Sequence, residues 1–94
     1  MSKQKNNLQP SQQDLQPLLQ SYQTGQFTQA EAAGLKLLKK FPNGFMVHHV
    51  LGSIYGQQGK VAQAVKSVQK ALTIDPTAAE LHLNVGILLD QLGQ

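Results

Sequence analysis

An all-α stack of antiparallel helix pairs, five helices in all, is the fold this sequence predicts, and three observations predict it. The first is a 34-residue period: Gly25, Gly59 and Gly93 lie on it, as do Gln23, Gln57 and Gln91, and so do the pairs Ala30/Ala64, Lys36/Lys70, Leu38/Leu72, Pro42/Pro76, His48/His82 and Gly52/Gly86. A period of this length marks stacked supersecondary units. The second is that apolar residues recur three and four apart through each element, which gathers them on one stripe of a helix. The third is punctuation by glycine or proline between the stripes, where a helix has to stop.

The elements follow in order. Residues 1–10 are polar and aperiodic and end in Pro10, so a disordered leader is expected, because no burial offsets the entropy of ordering it. A first helix opens at Ser11 or Asp14 and carries Leu15, Leu18, Leu19 and Tyr22. With Asp14 as its N-cap, Pro17 falls in the first turn, where a missing N–H has no intrahelical partner to lose. The helix runs to about Thr24 and stops at Gly25, suited to a left-handed C-terminal cap.

Thr28 and Glu31 stand at the spacing of a capping box and open the second helix. Its buried stripe is Ala30, Ala33, Leu37, Leu38 and Phe41; Lys36, Lys39 and Lys40 suit its negative C-terminal end, and Phe41-Pro42 ends it. The third helix turns Val47, Leu51, Ile54 and Tyr55 inward. Gly59 reverses the chain, a fourth helix returns Val61, Ala64, Val65, Val68, Ala71 and Leu72, and Asp75-Pro76 closes it. Thr77 and Glu80 form another capping box, starting a fifth helix with Leu81, Val85, Leu88, Leu89 and Leu92 that reaches Gly93. The units are residues 11–44 and 45–78 and a half unit, 79–94; the first two share seven identities in 34 positions, on turn and packing residues.

Composition narrows the function classes. Ninety-four residues make one small domain, and without cysteine neither disulfides nor a thiolate metal site can support its core. The net charge of +3 comes from eight lysines and no arginine against five carboxylates, which lacks the bidentate forks that phosphate and base recognition draw on. The polar start has no apolar signal core, so a cytoplasmic location is expected. No apolar run nears the roughly 20 residues that cross a bilayer. Glutamine, 15 of 94 residues, is spread over helical faces as solvated surface.

The central unit, with His48, Leu51-Gly52, Tyr55, Gly59, Ala64, Val68, Ala71 and Pro76, resembles the tetratricopeptide repeat, departing at His48 for the usual tryptophan and at Val68 for the usual aromatic. The third unit supplies His82, Val85-Gly86, Leu89 and Gly93; the first is divergent, with Pro17-Leu18 where Leu-Gly would stand and Gly34 where a bulky residue would pack. The resemblance covers residues 11–94, about two and a half repeats, and is similar to the leading repeats of bacterial multidomain proteins in which a transferase follows. It implies a right-handed superhelical solenoid acting as a protein-interaction scaffold, without catalysis or cofactor and detached from a larger protein.

The resemblance also implies a concave groove lined by first helices: Leu15, Leu19 and Tyr22, then Met46, His49, Val50, Ser53 and Gln57, then Leu83, Asn84, Ile87 and Asp90. Another protein or peptide is the expected partner. Leu81, Val85, Leu88, Leu89 and Leu92 form an open apolar end through which two copies could pair as a homodimer.

Other readings are weaker. Asn84 matches a position from which some family members grip a peptide backbone, but Val50 stands at the equivalent place one unit earlier. The carboxylate-clamp pattern is poorly matched, because the first groove helix offers Leu15 and Leu19. His48 and His49 point about 100° apart on a helix, and His82 lies one unit away, a geometry that does not converge on an ion; His48 and His82 are read as filling the tryptophan slot. No carboxylate pair stands at acid/base spacing on one face. Lys36, Lys39, Lys40, Lys66 and Lys70 form an outer stripe read as solvated convex surface, with RNA binding as the alternative by kinship to pentatricopeptide repeats, whose base-reading pairs are missing here.

Overall fold

Short turns at Gly25 and Gly59 fold the chain back on itself twice. A computed structural model describes residues 8–77, and these carry four helices: α1 (Gln12–Gln23), α2 (Phe27–Lys40), α3 (Phe45–Gln57) and α4 (Val61–Ile74). The fifth helix expected over residues 79–94 lies outside the described residues, as do residues 1–7. Gly25 and Gly59 both take φ of 77°, a left-handed conformation that costs glycine little, so α1/α2 and α3/α4 are helical hairpins. α3 then packs on both α1 and α2, and α4 packs on α3.

Of the two starts expected for α1, the structure has Ser11 as the N-cap: its hydroxyl accepts from the Asp14 N–H and the Asp14 carboxylate accepts from the Ser11 N–H, each at 3.0 Å. The box satisfies two free donors at once, which a lone Asp14 cap could not. Pro17 consequently sits inside the helix, beyond the first turn, on the exposed side, where the carbonyl it leaves without a backbone partner can meet water.

α2 starts two residues earlier than its expected box requires. Gln26 is the N-cap and makes no side-chain cap bond, which puts Thr28 within the helix and frees Glu31 for a different partner. The second expected box cannot be followed, since Glu80 lies outside the described residues; Thr77 itself donates through its N–H and hydroxyl to Asp75 Oδ1 at 3.1 and 2.6 Å.

Gln9 and Pro10, assigned by the sequence to the disordered leader, lie against the turn between α2 and α3. The Gln9 carboxamide donates to the Asn43 carbonyl at 2.7 Å and accepts from the Phe45 N–H at 2.8 Å. The α3 N-cap is Gly44, which has no side chain to offer, so the first free N–H of α3 is capped from 36 residues upstream. An added Cβ at Gly44 would stand 3.4 Å from Pro10 Cδ, a measure of how closely the segment is laid down.

One core cluster joins both hairpins: Leu15, Leu18, Ala30, Val47, Val50, Leu51, Ile54, Tyr55 and Ala64. Leu18, Leu51, Ile54 and Val47 are its largest fully buried side chains, each worth about 1.5–3 kcal/mol of transfer. A second cluster, Val68 and Ala71 with Phe45 and Leu72, lies farther along α3 and α4. Two glycines allow the helices their approach. A Cβ at Gly52 would come within 2.6 Å of Val68 Cγ2, and one at Gly34 within 2.8 Å of Leu51 Cδ2. Gly34 is thus the socket for Leu51, which accounts for a glycine where the repeat pattern has a bulky residue.

Candidate functional site

The expected concave groove draws on α1 and α3, which touch each other. In α3, Met46, His49, Ser53 and Gln57 fall at spacings of three and four and so occupy one line of the helix. Met46 is 38% exposed, Gln57 is exposed, and His49 and Ser53 are half-buried. Val50, expected beside them, is instead buried in the core at 7% exposure, because α3 packs against α1 and α2 as well as α4 and so has core positions on more than one face. Sequence spacing alone could not separate lining from core on a helix with two apolar faces.

On α1, Leu15 is a core residue while Leu19 and Tyr22 pack against the core from outside, the Tyr22 ring 5.9 Å from that of Phe27. Leu15 and Leu19 floor a shallow depression of about 530 Å³ walled by Gln12, Gln13 and Gln16. Leu83, Asn84, Ile87 and Asp90 of the groove, and Leu81, Val85, Leu88, Leu89 and Leu92 of the self-association end, lie outside the described residues.

The two histidines of α3 have different surroundings. His48 is buried and its Nε2 donates to the Pro42 carbonyl at 3.0 Å, which fixes the Nε2–H tautomer and ties the start of α3 to the end of α2. That is a packing role. His49 stacks at 6.0 Å on Phe45, and its Nδ1 is shut off from solvent with no hydrogen-bond partner, so its other nitrogen is the one that can meet a ligand. Among the described residues no three His, Cys, Asp or Glu side chains converge to hold a metal ion.

A second concavity, of about 890 Å³, has no counterpart in the sequence reading. It runs between α1 and α2, floored by Pro17, Ala32, Ala33 and Leu37 and edged by Lys36, Lys39 and Lys40, with Asp14 at one end. The Asp14 carboxyl is held below the usual carboxylate range, first by the Ser11 backbone and then by the Ser11 hydroxyl, so it is spent on the cap. Lys36, Lys39, Lys40, Lys66 and Lys70 are all exposed, and Lys40 also reaches over the Phe41 ring at 5.6 Å. The signal that could have revealed the groove was the interleaving of Ala33 and Leu37 with Lys36 and Lys40, which gives α2 a second apolar strip beside the one holding Ala30 and Gly34.

Polar links between the hairpins are few in character and exposed. Glu31 of α2 lies 3.8 Å from Lys60, the N-cap of α4. Burial raises the Tyr55 hydroxyl above its ordinary value, with the Glu31 carboxylate adding to this by charge and by hydrogen bonding.

Residues 52–93 match the family model of the TPR repeat, which supports the tetratricopeptide reading through α3, α4 and the segment beyond them. No curated protein matches the chain. Tetratricopeptide repeats are non-catalytic units that generally mediate protein–protein interaction, and the all-helical architecture of the described residues agrees with one. No described helix is long and apolar enough to cross a membrane.

Proposed function

We propose that this chain is a protein-interaction module that holds a peptide or protein segment against its concave face. One observation carries the reading. Along a single line of α3, an exposed large apolar side chain, Met46, is followed by the polar side chains of His49, Ser53 and Gln57. Such a line offers one apolar anchor and several hydrogen-bonding groups for a bound backbone, which is how grooves of this type recognise extended or helical segments. Methionine suits the task because its unbranched side chain adapts to differently shaped partners.

The test begins with peptides selected on the folded chain from a random display library and proceeds to affinities by calorimetry. Met46→Glu and His49→Ala weaken the selected peptides by about tenfold or more, while Lys66→Glu, on the far helix, leaves them unchanged. Peptides indifferent to both α3 substitutions would sink the groove. Should the chain bind RNA instead, single-stranded oligonucleotides would bind with a steep salt dependence and lose affinity on Lys36→Glu and Lys70→Glu.

A further inference from the structure

The lysine-edged groove between α1 and α2 is an end face of the stack. On α2, Glu31, Gly34 and Leu38 lie toward α3, as the contacts of Gly34 with Leu51 and of Glu31 with Tyr55 show. At about 100° per residue, Lys36, Lys39 and Lys40 point the opposite way, with Ala33 and Leu37 between them and the core. The face is therefore apolar in its floor, unused by any described helix, and positive at its edge.

Within the same 94 residues there is a segment of complementary character. Residues 79–94 contain Glu80 and Asp90 and no lysine, a charge of −2, and carry Leu81, Val85, Leu88, Leu89 and Leu92. By the 34-residue correspondence, Val85, Gly86, Leu88 and Leu89 stand where α3 has Leu51, Gly52, Ile54 and Tyr55. Those four residues of α3 serve neighbours on both sides: Leu51 fills the Gly34 socket of α2, and Gly52 lets α4 approach. The segment repeats the apolar positions with which α3 serves both its neighbours and adds two carboxylates of the sign that the lysine edge selects. The chain's own first seven residues are a poor occupant of the groove, since Lys3 and Lys5 would be repelled by its edge.

We propose that the groove receives residues 79–94 of a second copy, so that copies join head to tail. Such a contact is heterologous: each copy uses two different surfaces, and the assembly grows past a dimer until it closes or the concentration limits it. The apolar floor supplies the affinity, and the lysines select the acidic segment and set its direction. The concave face stays free, so this inference stands or falls separately from peptide binding.

Sedimentation velocity on the full 94-residue chain tests it, in a concentration series at low and high salt. The wild type increases in mass beyond a dimer, and the increase weakens with salt. Lys36→Glu/Lys39→Glu/Lys40→Glu abolishes the groove's preference, and Glu80→Lys/Asp90→Lys that of the segment; each variant alone associates at least about tenfold more weakly, and an equimolar mixture regains growth by alternating the two, because the intact faces pair with each other and so do the two reversed ones. All five substitutions in one chain restore growth. Circular dichroism confirms that the variants keep the wild-type helix content, which reversal of the exposed lysines should not disturb. A wild type that stays monomeric throughout overturns the proposal. So does a lysine variant that associates as strongly as the wild type, because two copies would then be meeting through another surface, such as the last segment pairing with itself.

Discussion

The first hairpin reads poorly as a repeat and the second reads well, yet they occupy one core, and the contrast shows what a repeat pattern records. In the second hairpin, α3 buries Val47, His48, Val50, Leu51, Gly52, Ile54 and Tyr55, so more than half of its positions face a neighbour and are restricted in size. In the first, α1 buries only Leu15 and Leu18, and α2 only Ala30 and Gly34. Fewer buried positions leave fewer constraints on residue size. Pro17 in mid-helix and Gly34 in place of a bulky residue survive there because Pro17 faces water and because Leu51, the partner of Gly34, takes up the missing volume. The corresponding positions one period later are Val68 and Val85, two medium side chains where the first junction has a small and a large one.

The largest effect is expected where the two hairpins meet. Leu51→Ala empties a fully buried side chain and should cost about 2–5 kcal/mol in urea unfolding, enough to threaten a domain of this size. Adding Gly34→Ala to that variant places a methyl in the vacated space and gains about 1 kcal/mol of helix propensity, so the double variant should be more stable than Leu51→Ala alone. No recovery would mean that the two residues do not share one volume.

Next come the glycines in the wild-type background. Both added methyls are too close to a neighbour, but the neighbours differ: Gly34 meets the tip of a leucine, which can rotate, whereas Gly52 meets a methyl of Val68, whose branched side chain has one good rotamer in a helix. Gly52→Ala should therefore destabilise by about 1–3 kcal/mol and Gly34→Ala by less, with Val68→Ala relieving only the former in a double-mutant cycle. Equal costs at the two sites would show that the second hairpin is no tighter than the first.

These sites also show how far the sequence could be read. The period located both turn glycines and the stripes, since each depends on residues near in sequence or one repeat away. Helix starts were harder to read. The spacing leaves α1 open between Ser11 and Asp14, which Ser11 decides by completing a reciprocal box; Thr28 fits a box that α2 begins too early to use; and α3, opening on Pro-Asn-Gly, offers no local capping side chain because its cap, Gln9, comes from the other side of the preceding hairpin. A polar residue that binds backbone across 36 positions leaves no local pattern. The same limit hid the groove: the burial of Val50 and the openness of the α2 strip follow from which faces neighbours cover, not from spacing.

The caps give smaller, separable effects. Gln9→Ala leaves the Asn43 carbonyl and Phe45 N–H to water, and Ser11→Ala opens the box of α1; each should cost about 1 kcal/mol. Only the second is tied to pH. Because the Asp14 pKa is lower in the folded chain than its ordinary value, its contribution is present above the usual carboxylate range and is lost as pH falls through the folded value. Thermal midpoints between about pH 5 and pH 2 should fall less steeply in Ser11→Ala than in the wild type, and unchanged in slope for Gln9→Ala. A cap whose loss leaves the acid limb untouched would not be a charged one.

The smallest expected effect belongs to the ion pair that spans the hairpins. Lys60 is 46% exposed at its side chain and Glu31 23%, and their 3.8 Å separation is long for a charge-assisted hydrogen bond, so the pair should contribute under about 1 kcal/mol and be screened by salt. Lys60→Met keeps most of the apolar stem while removing the charge, and should lower stability by a few tenths of a kcal/mol at low salt, with the difference from wild type vanishing near 1 M salt. Glu31 has a second tie, to Tyr55, whose hydroxyl is harder to ionise folded than unfolded; the stability this gives is complete below the ordinary tyrosine value and is lost as pH rises through the raised one. Tyr55→Phe should flatten that alkaline loss where Lys60→Met does not. If Lys60→Met instead cost as much as Leu51→Ala, the junction would be held by charge, and the account of a core shared through matched volumes would fail at the place where it is most exposed to test.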